Sequence, residues 1–170
     1  MDRDFSAETV EILDSHRVMM IATNRRDGWP HATVVSYSNV GLVIYCIVRL
    51  NTQKHLNIAR DPRVSVAIGD DCADPLQYKG LSLAGRATIS EDRTEIEMVR
   101  GIVLARHPKY KQMMAPAPER IGVLRIMPEI VSIIDYSKGF GHSDKVRIVP
   151  DGPVEFIEAY RHHWAGLQAV

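Results

Sequence analysis

Residues 28–68, GWPHATVVSYSNVGLVIYCIVRLNTQKHLNIARDPRVSVAI, decide the fold. Apolar and β-branched residues fill 32–37 and 42–48, each run bounded by turn-forming residues, and this predicts two strands. A polar loop carrying Thr52, Gln53 and Lys54 follows, then a short helix around 55–59 and a third strand over 64–68. A hydroxyl and an amine two residues apart, just ahead of a helix start, suit a phosphate that also takes backbone N–H groups. Taken alone, the same three residues make a solvated loop with a helix-capping threonine.

On the N-terminal side, Ser6 is placed to cap a helix over 7–15. VMMIAT at 18–23 is a β-like run, and Asp27-Gly28 marks a turn that makes a hairpin with 32–37. A second turn at 38–41 would make the opening a meander of adjacent antiparallel strands. On the C-terminal side, LSLAGRATI at 81–89 predicts a strand with a bend or bulge at Gly85. Helical spacing of Ile96, Val99, Val103 and Leu104 predicts a helix over 91–106, with Ser90 as its cap and Pro108 as its stop. Two late strands, 121–127 and 130–136, are separated by Pro128. A short strand at 146–149 follows, and Pro153 opens a terminal helix over about 153–169. Six or seven short strands that do not alternate with helices argue for an antiparallel barrel with peripheral helices.

Composition narrows the function. The 170 residues, 45% hydrophobic and 25% charged, fill one core and are too few for two comfortable domains. Lys plus Arg equals Asp plus Glu, 21 each, so no net basic field attracts nucleic acid or anionic lipid. No apolar run is long enough to span a bilayer, and the acidic N-terminus lacks the regions of a signal peptide. Cys46 and Cys72 have no metal or redox spacing and fit a reducing cytoplasm better than a disulfide. The adjacent His162 and His163 diverge by about 100° on a helix and form no two-ligand metal face. No triad order and no carboxylate pair for acid–base work stands out.

The order strand, strand, Thr-x-Lys loop, helix and DPRVSVAI strand resembles the flavin-binding split β-barrels related to pyridoxamine 5′-phosphate oxidase, over roughly residues 10–135. The resemblance implies that Lys54 gives the charge and Thr52 a hydroxyl to the flavin phosphate, with Gln53 in the same loop and Arg49 assisting. Thr33, Val34, Val35 and Ser36 would form the strand against which the isoalloxazine and ribityl chain lie, with Cys46 and Ile47 close by. The chain departs from the oxidase at three positions. His31 and Ser36 stand where that enzyme has an arginine and a lysine, and Gly80 stands about where it brings a glutamine to the flavin. The segment Gly139-Phe140-Gly141-His142 resembles a late loop of the wider group, which includes haem-degrading relatives. There Phe140 could stack on a ligand, and His142 could meet a flavin edge or haem iron; a tight turn with an exposed histidine is the alternative.

The expectation is therefore a single mainly-β domain over 1–170, a six- to seven-stranded antiparallel split barrel of FMN-binding type. The resemblance implies an FMN-dependent oxidoreductase that moves a hydride between flavin and a small-molecule substrate. It also implies a homodimer with flavin in the groove between subunits. The cofactor carries such chemistry, so no catalytic residue is named. An F420-dependent reductase, a haem-binding or haem-degrading relative and a non-enzymatic flavin-binding protein are the alternatives. Arg25, Arg26 and Arg49 are too few to decide for the acidic tail of F420.

Overall fold

The computed structural model describes residues 3–112, 120–150 and 152–160. Helix α1 (Phe5–Ser15) is capped by Asp4, whose carboxylate accepts from the Ala7 N–H, rather than by Ser6. It leads into β1 (Val18–Asn24), and a tight turn with Gly28 at φ 86° returns the chain as β2 (Pro30–Ser36). The predicted turn at 38–41 contains a short strand, β3 (Ser38–Val40), which folds back on β4 (Val43–Arg49). Next come α2 (Gln53–Arg60), β5 (Arg63–Gly69), β6 (Lys79–Ser90) and α3 (Arg93–Arg106), the last capped by Asp92 and not Ser90. A single-turn 3-10 segment, Pro108–Gln112, follows α3.

Pro128 does not divide two strands. β7 runs unbroken over Ile121–Asp135, the longest strand at 15 residues. Proline cannot donate to a ladder, so the sheet absorbs it with a bulge. The register of β6 on β7 shifts between Ala84 and Gly85, and Gly85 lies opposite Pro128. A Cβ on Gly85 would sit 2.4 Å from the Met127 carbonyl, which is why the bulge needs glycine. The C-terminal expectation also changes. Val154–Tyr160 is not helical; it is β9, paired antiparallel with β8 (Ser143–Ile148) and anchored by Phe156 stacked on Phe5 at 5.5 Å. The rest of the predicted terminal helix, with His162, His163 and Trp164, lies outside the described residues.

The strand order β2-β1-β5-β6-β7-β4-β3 replaces the expected meander, since β4 pairs with β7 and β3, not with β2. β2 and β3 therefore stand at opposite ends of the sheet, yet only Tyr37 separates them in the chain. Two residue steps span at most about 7 Å, so the sheet must roll until its ends meet. The result is an antiparallel split barrel whose sheet ends are β2 and β3. Its interior holds the main core, including Leu13, Ile21, Ile44, Leu81, Ile126 and Ile133, all essentially inaccessible to solvent. A smaller core of Val99, Val103 and Val123, with Tyr45 and Ile47, packs α3 onto the outside. No helix among the described residues is long and apolar enough to cross a membrane.

Candidate functional site

The loop after β4 gathers some of the predicted residues and separates others. Asn51 takes a left-handed φ of 62°, which turns the chain into α2. The Thr52 hydroxyl accepts from the His55 N–H at 3.4 Å and donates to the Arg49 carbonyl at 3.1 Å, so it is spent on capping α2. Gln53 is also engaged, its side-chain amide donating to Asn57 Oδ1 at 2.7 Å. Arg49, Leu50, Asn51, Thr52 and Arg120 line an open cleft of about 360 Å³ at this corner. Arg120 adds a second guanidinium there that sequence reading missed, because it lies 71 residues beyond Arg49 in the chain. It is also held by Glu91 at 2.7 Å.

Lys54 does not join that cleft. Its ammonium is half buried and lies near Cys46. Burial pulls the Lys54 amine below its ordinary range, and the nearby Cys46 only partly opposes this. Among the described residues no carboxylate pairs with it. Burial in turn pushes the Cys46 thiol up to about 12, so at neutral pH it is a protonated, unreactive core residue. The resemblance places both Cys46 and Ile47 close to the ligand. Strand alternation sends them to opposite faces, Cys46 into the barrel and Ile47 onto α3.

The same alternation divides β2. His31, Thr33 and Val35 lie opposite Thr23, Ile21 and Met19 of β1, whose side chains are all buried, and so face inward. His31 Nδ1 and Thr33 Oγ1 are buried there with no hydrogen-bond partner. Two unpartnered buried polar atoms on one strand face are uncommon in a folded protein. Val34 points the other way and is 66% exposed, beside the exposed Met20. The Ser36 hydroxyl is taken by Tyr110 at 2.6 Å, and Tyr110 stacks on His107. The four β2 residues are thus not one ligand wall: Thr33 and Val35 face the barrel interior, and Val34 and Ser36 do not. On β6, Gly80 pairs with Gly69, and the Tyr78 ring covers both, leaving no room for a side chain.

The Gly139–His142 segment is a turn. His142 N–H donates to the Gly139 carbonyl at 2.9 Å, closing β7 onto β8, and Gly141 holds φ 79°. His142 is only 5% exposed, with Nε2 3.0 Å from Asp144 and Nδ1 buried, so neither nitrogen is offered to an iron or a flavin edge. Burial alone would raise Asp144, but hydrogen bonds from Arg3 and His142 hold it below the usual carboxylate range. The loop also stands at the Asp135 end of β7, whereas Arg49 pairs with Ile121 at the other. Gly141→Val should lower apo-protein stability by about 1–2 kcal/mol, the cost of forcing a side chain into left-handed backbone. Thermal melting and FMN titration of the variant check this. Intact melting with lost affinity would return the loop to the ligand.

The fold is an antiparallel split barrel with a half-buried lysine at the start of α2 and unpartnered polar atoms on the inward face of β2. Among the described residues, no group of histidine, cysteine or acidic side chains is placed to hold a metal. The family model for pyridoxamine 5′-phosphate oxidase matches residues 5–134, and the chain belongs to that family. General stress protein 26 of Bacillus subtilis (strain 168) is 30% identical over 88 residues, 52% of this chain and 61% of that protein. The matched segment thus falls short of two thirds of that relative. A conserved hypothetical protein of Mycobacterium tuberculosis shares the fold with a TM-score of 0.67 and 27% identity, over 81% of this chain and 92% of that one. A heme binding protein of Mycobacterium smegmatis gives 0.68 and 25%, over 86% of this chain and 60% of that one.

Proposed function

We propose that this protein is a homodimeric FMN-binding oxidoreductase that passes a hydride between the flavin and a small organic substrate. The observation that carries the reading is Lys54, a half-buried cation in the first turn of α2 with no described carboxylate partner. A desolvated charge is unfavourable until an anion pairs with it, and the flavin phosphate is an anion of suitable strength. His31 Nδ1 and Thr33 Oγ1, orphaned on the inward face of β2, are further polar groups that a bound ligand would satisfy. The cleft next to the capped start of α2 adds the guanidinium groups of Arg49 and Arg120, the latter held by Glu91. With FMN bound, the ring system supplies the redox chemistry, while these residues bind and orient it. The absorption spectrum of the purified protein tests this. A flavin spectrum is expected; a deazaflavin spectrum would replace FMN by F420, and a colourless protein that takes up no added FMN would overturn the reading.

Haem is the second reading, favoured by the similarity to the heme binding protein of Mycobacterium smegmatis. His142 is a poor axial ligand here, since its ring is buried against Asp144. A Soret band in the purified protein would select haem and point to a different histidine.

The dimer rests on the outer sheet face. Val34 and Met20 are cross-strand neighbours, Met20 also neighbours Ala67, and Val18 stands exposed two residues away. Ile44 and Val66, by contrast, are buried in the core and add nothing to this surface. A contiguous apolar face of this kind fits an interface, and an obligate dimer would bury more than about 2,000 Å² in total. Sedimentation at micromolar concentration should give a dimer; a monomer would count against both the dimer and a flavin groove between subunits.

A further inference from the structure

The polar contacts of α2 form a one-way relay into the barrel. Gln53 Nε2 donates to Asn57 Oδ1 at 2.7 Å, Asn57 Nδ2 donates to Thr23 Oγ1 at 2.9 Å, and Thr23 Oγ1 donates to the His31 carbonyl at 3.3 Å. Thr23 and Asn57 are each only 2% exposed. The direction is fixed by its last member. A carbonyl only accepts, so the Thr23 hydroxyl must spend its single hydrogen on His31. Thr23 can then meet Asn57 only as an acceptor, which turns the Asn57 NH₂ toward β1. Asn57 Oδ1 is left facing Gln53, which must present its own NH₂. Neither Thr23 nor Asn57 can be rotated without placing two donors or two acceptors together in a dry site.

This relay joins the two halves of the candidate site. One end is Gln53, beside Lys54 in the first turn of α2; the other is the backbone of His31, two residues from Thr33 on β2. We propose that Asn57 is a positioning residue: through Thr23 it locks the first turn of α2 against β2, and so sets the spacing between Lys54 and the orphaned polar atoms of His31 and Thr33. The proposal rests on the reading of this site as one for a phosphorylated flavin. It adds that the preference for FMN over riboflavin, which lacks the phosphate, depends on a residue that touches neither.

Asn57→Leu and Gln53→Met test it, because each is close in size, removes the donated hydrogen bond and adds no charge beside Lys54. In Asn57→Leu, Thr23 Oγ1 loses the N–H it accepts from; in Gln53→Met, Asn57 Oδ1 loses its donor at the more exposed end, where folding is least at risk. Two quantities are read for each folded variant: the ratio of riboflavin to FMN dissociation constants, and amide hydrogen exchange through α2. The expected result is a fall of about tenfold or more in the FMN preference, with faster exchange in the first turn of α2 and unchanged exchange in the core strands. An unchanged FMN preference together with unchanged α2 exchange would overturn the proposal. If the wild-type protein binds neither flavin, the reading of the site fails. The exchange data still decide the relay, because local loosening of α2 in both variants supports it and unchanged exchange refutes it.

Discussion

Arg106→Ala is expected to destabilise the fold by about 3–5 kcal/mol, a large part of the 5–15 kcal/mol available to a domain of this size. Arg106 is the last residue of α3, and its guanidinium reaches back to the end of α1. It donates to the carbonyls of Leu13, Asp14 and His16 at 2.6, 2.8 and 2.7 Å, and also to the Asn39 side chain. The last carbonyls of a helix have no partner within it, and a cation there also meets the negative end of the helix dipole. One side chain thus completes α1 and ties it to β3 and α3. Its removal would leave several carbonyls competing for water in a partly buried seam. Arg106→Lys should recover less than half the loss, since one ammonium cannot match a planar fork across several acceptors. Urea denaturation measures both variants. A loss under about 1 kcal/mol for the alanine variant would show that the seam is held by other contacts.

Lys54→Ala is expected to weaken FMN binding by about 1.5–3 kcal/mol, the scale of a hydrogen bond to a charged group. The surroundings of Lys54 add a second signature. Because burial already disfavours its charge and no described carboxylate offsets this, Lys54→Met should leave the apo-protein as stable or slightly more so. A residue kept for stability would behave in the opposite way. Fluorescence titration of the apo-protein with FMN, alongside melting of the same samples, separates the two. Unchanged affinity in a folded Lys54 variant would remove it from the site.

The sequence was most legible where structure is local. Strand alternation in 18–23, 64–68 and 81–89, the break at Gly85, and the loop-then-helix at 52–59 all follow from short-range patterns. Non-local pairing was hidden. VEFIEAY has no strong local preference, and it becomes β9 because β8 offers an edge and Phe5 a stacking partner. Pro128 looks like a break because a local rule cannot see that Gly85, far away in the chain, makes room for it. In the candidate site, Lys54 and Thr33 are legible only through the family pattern. The capping role of Thr52 and the opposite directions of Cys46 and Ile47 needed the backbone. Asn57 carried a faint signal, a polar residue beside Ile58 on the buried face of α2 and one helical turn after Gln53. Its partner Thr23 lies 34 residues earlier, beyond any local reading.

The most direct test of the flavin reading is calorimetric titration of the wild-type apo-protein with FMN and, separately, with riboflavin. The account predicts binding of one FMN per chain, with riboflavin bound at least about tenfold more weakly, because the ammonium of Lys54 is satisfied only by the phosphate. Equal affinity for the two flavins, or no heat from either, would contradict it.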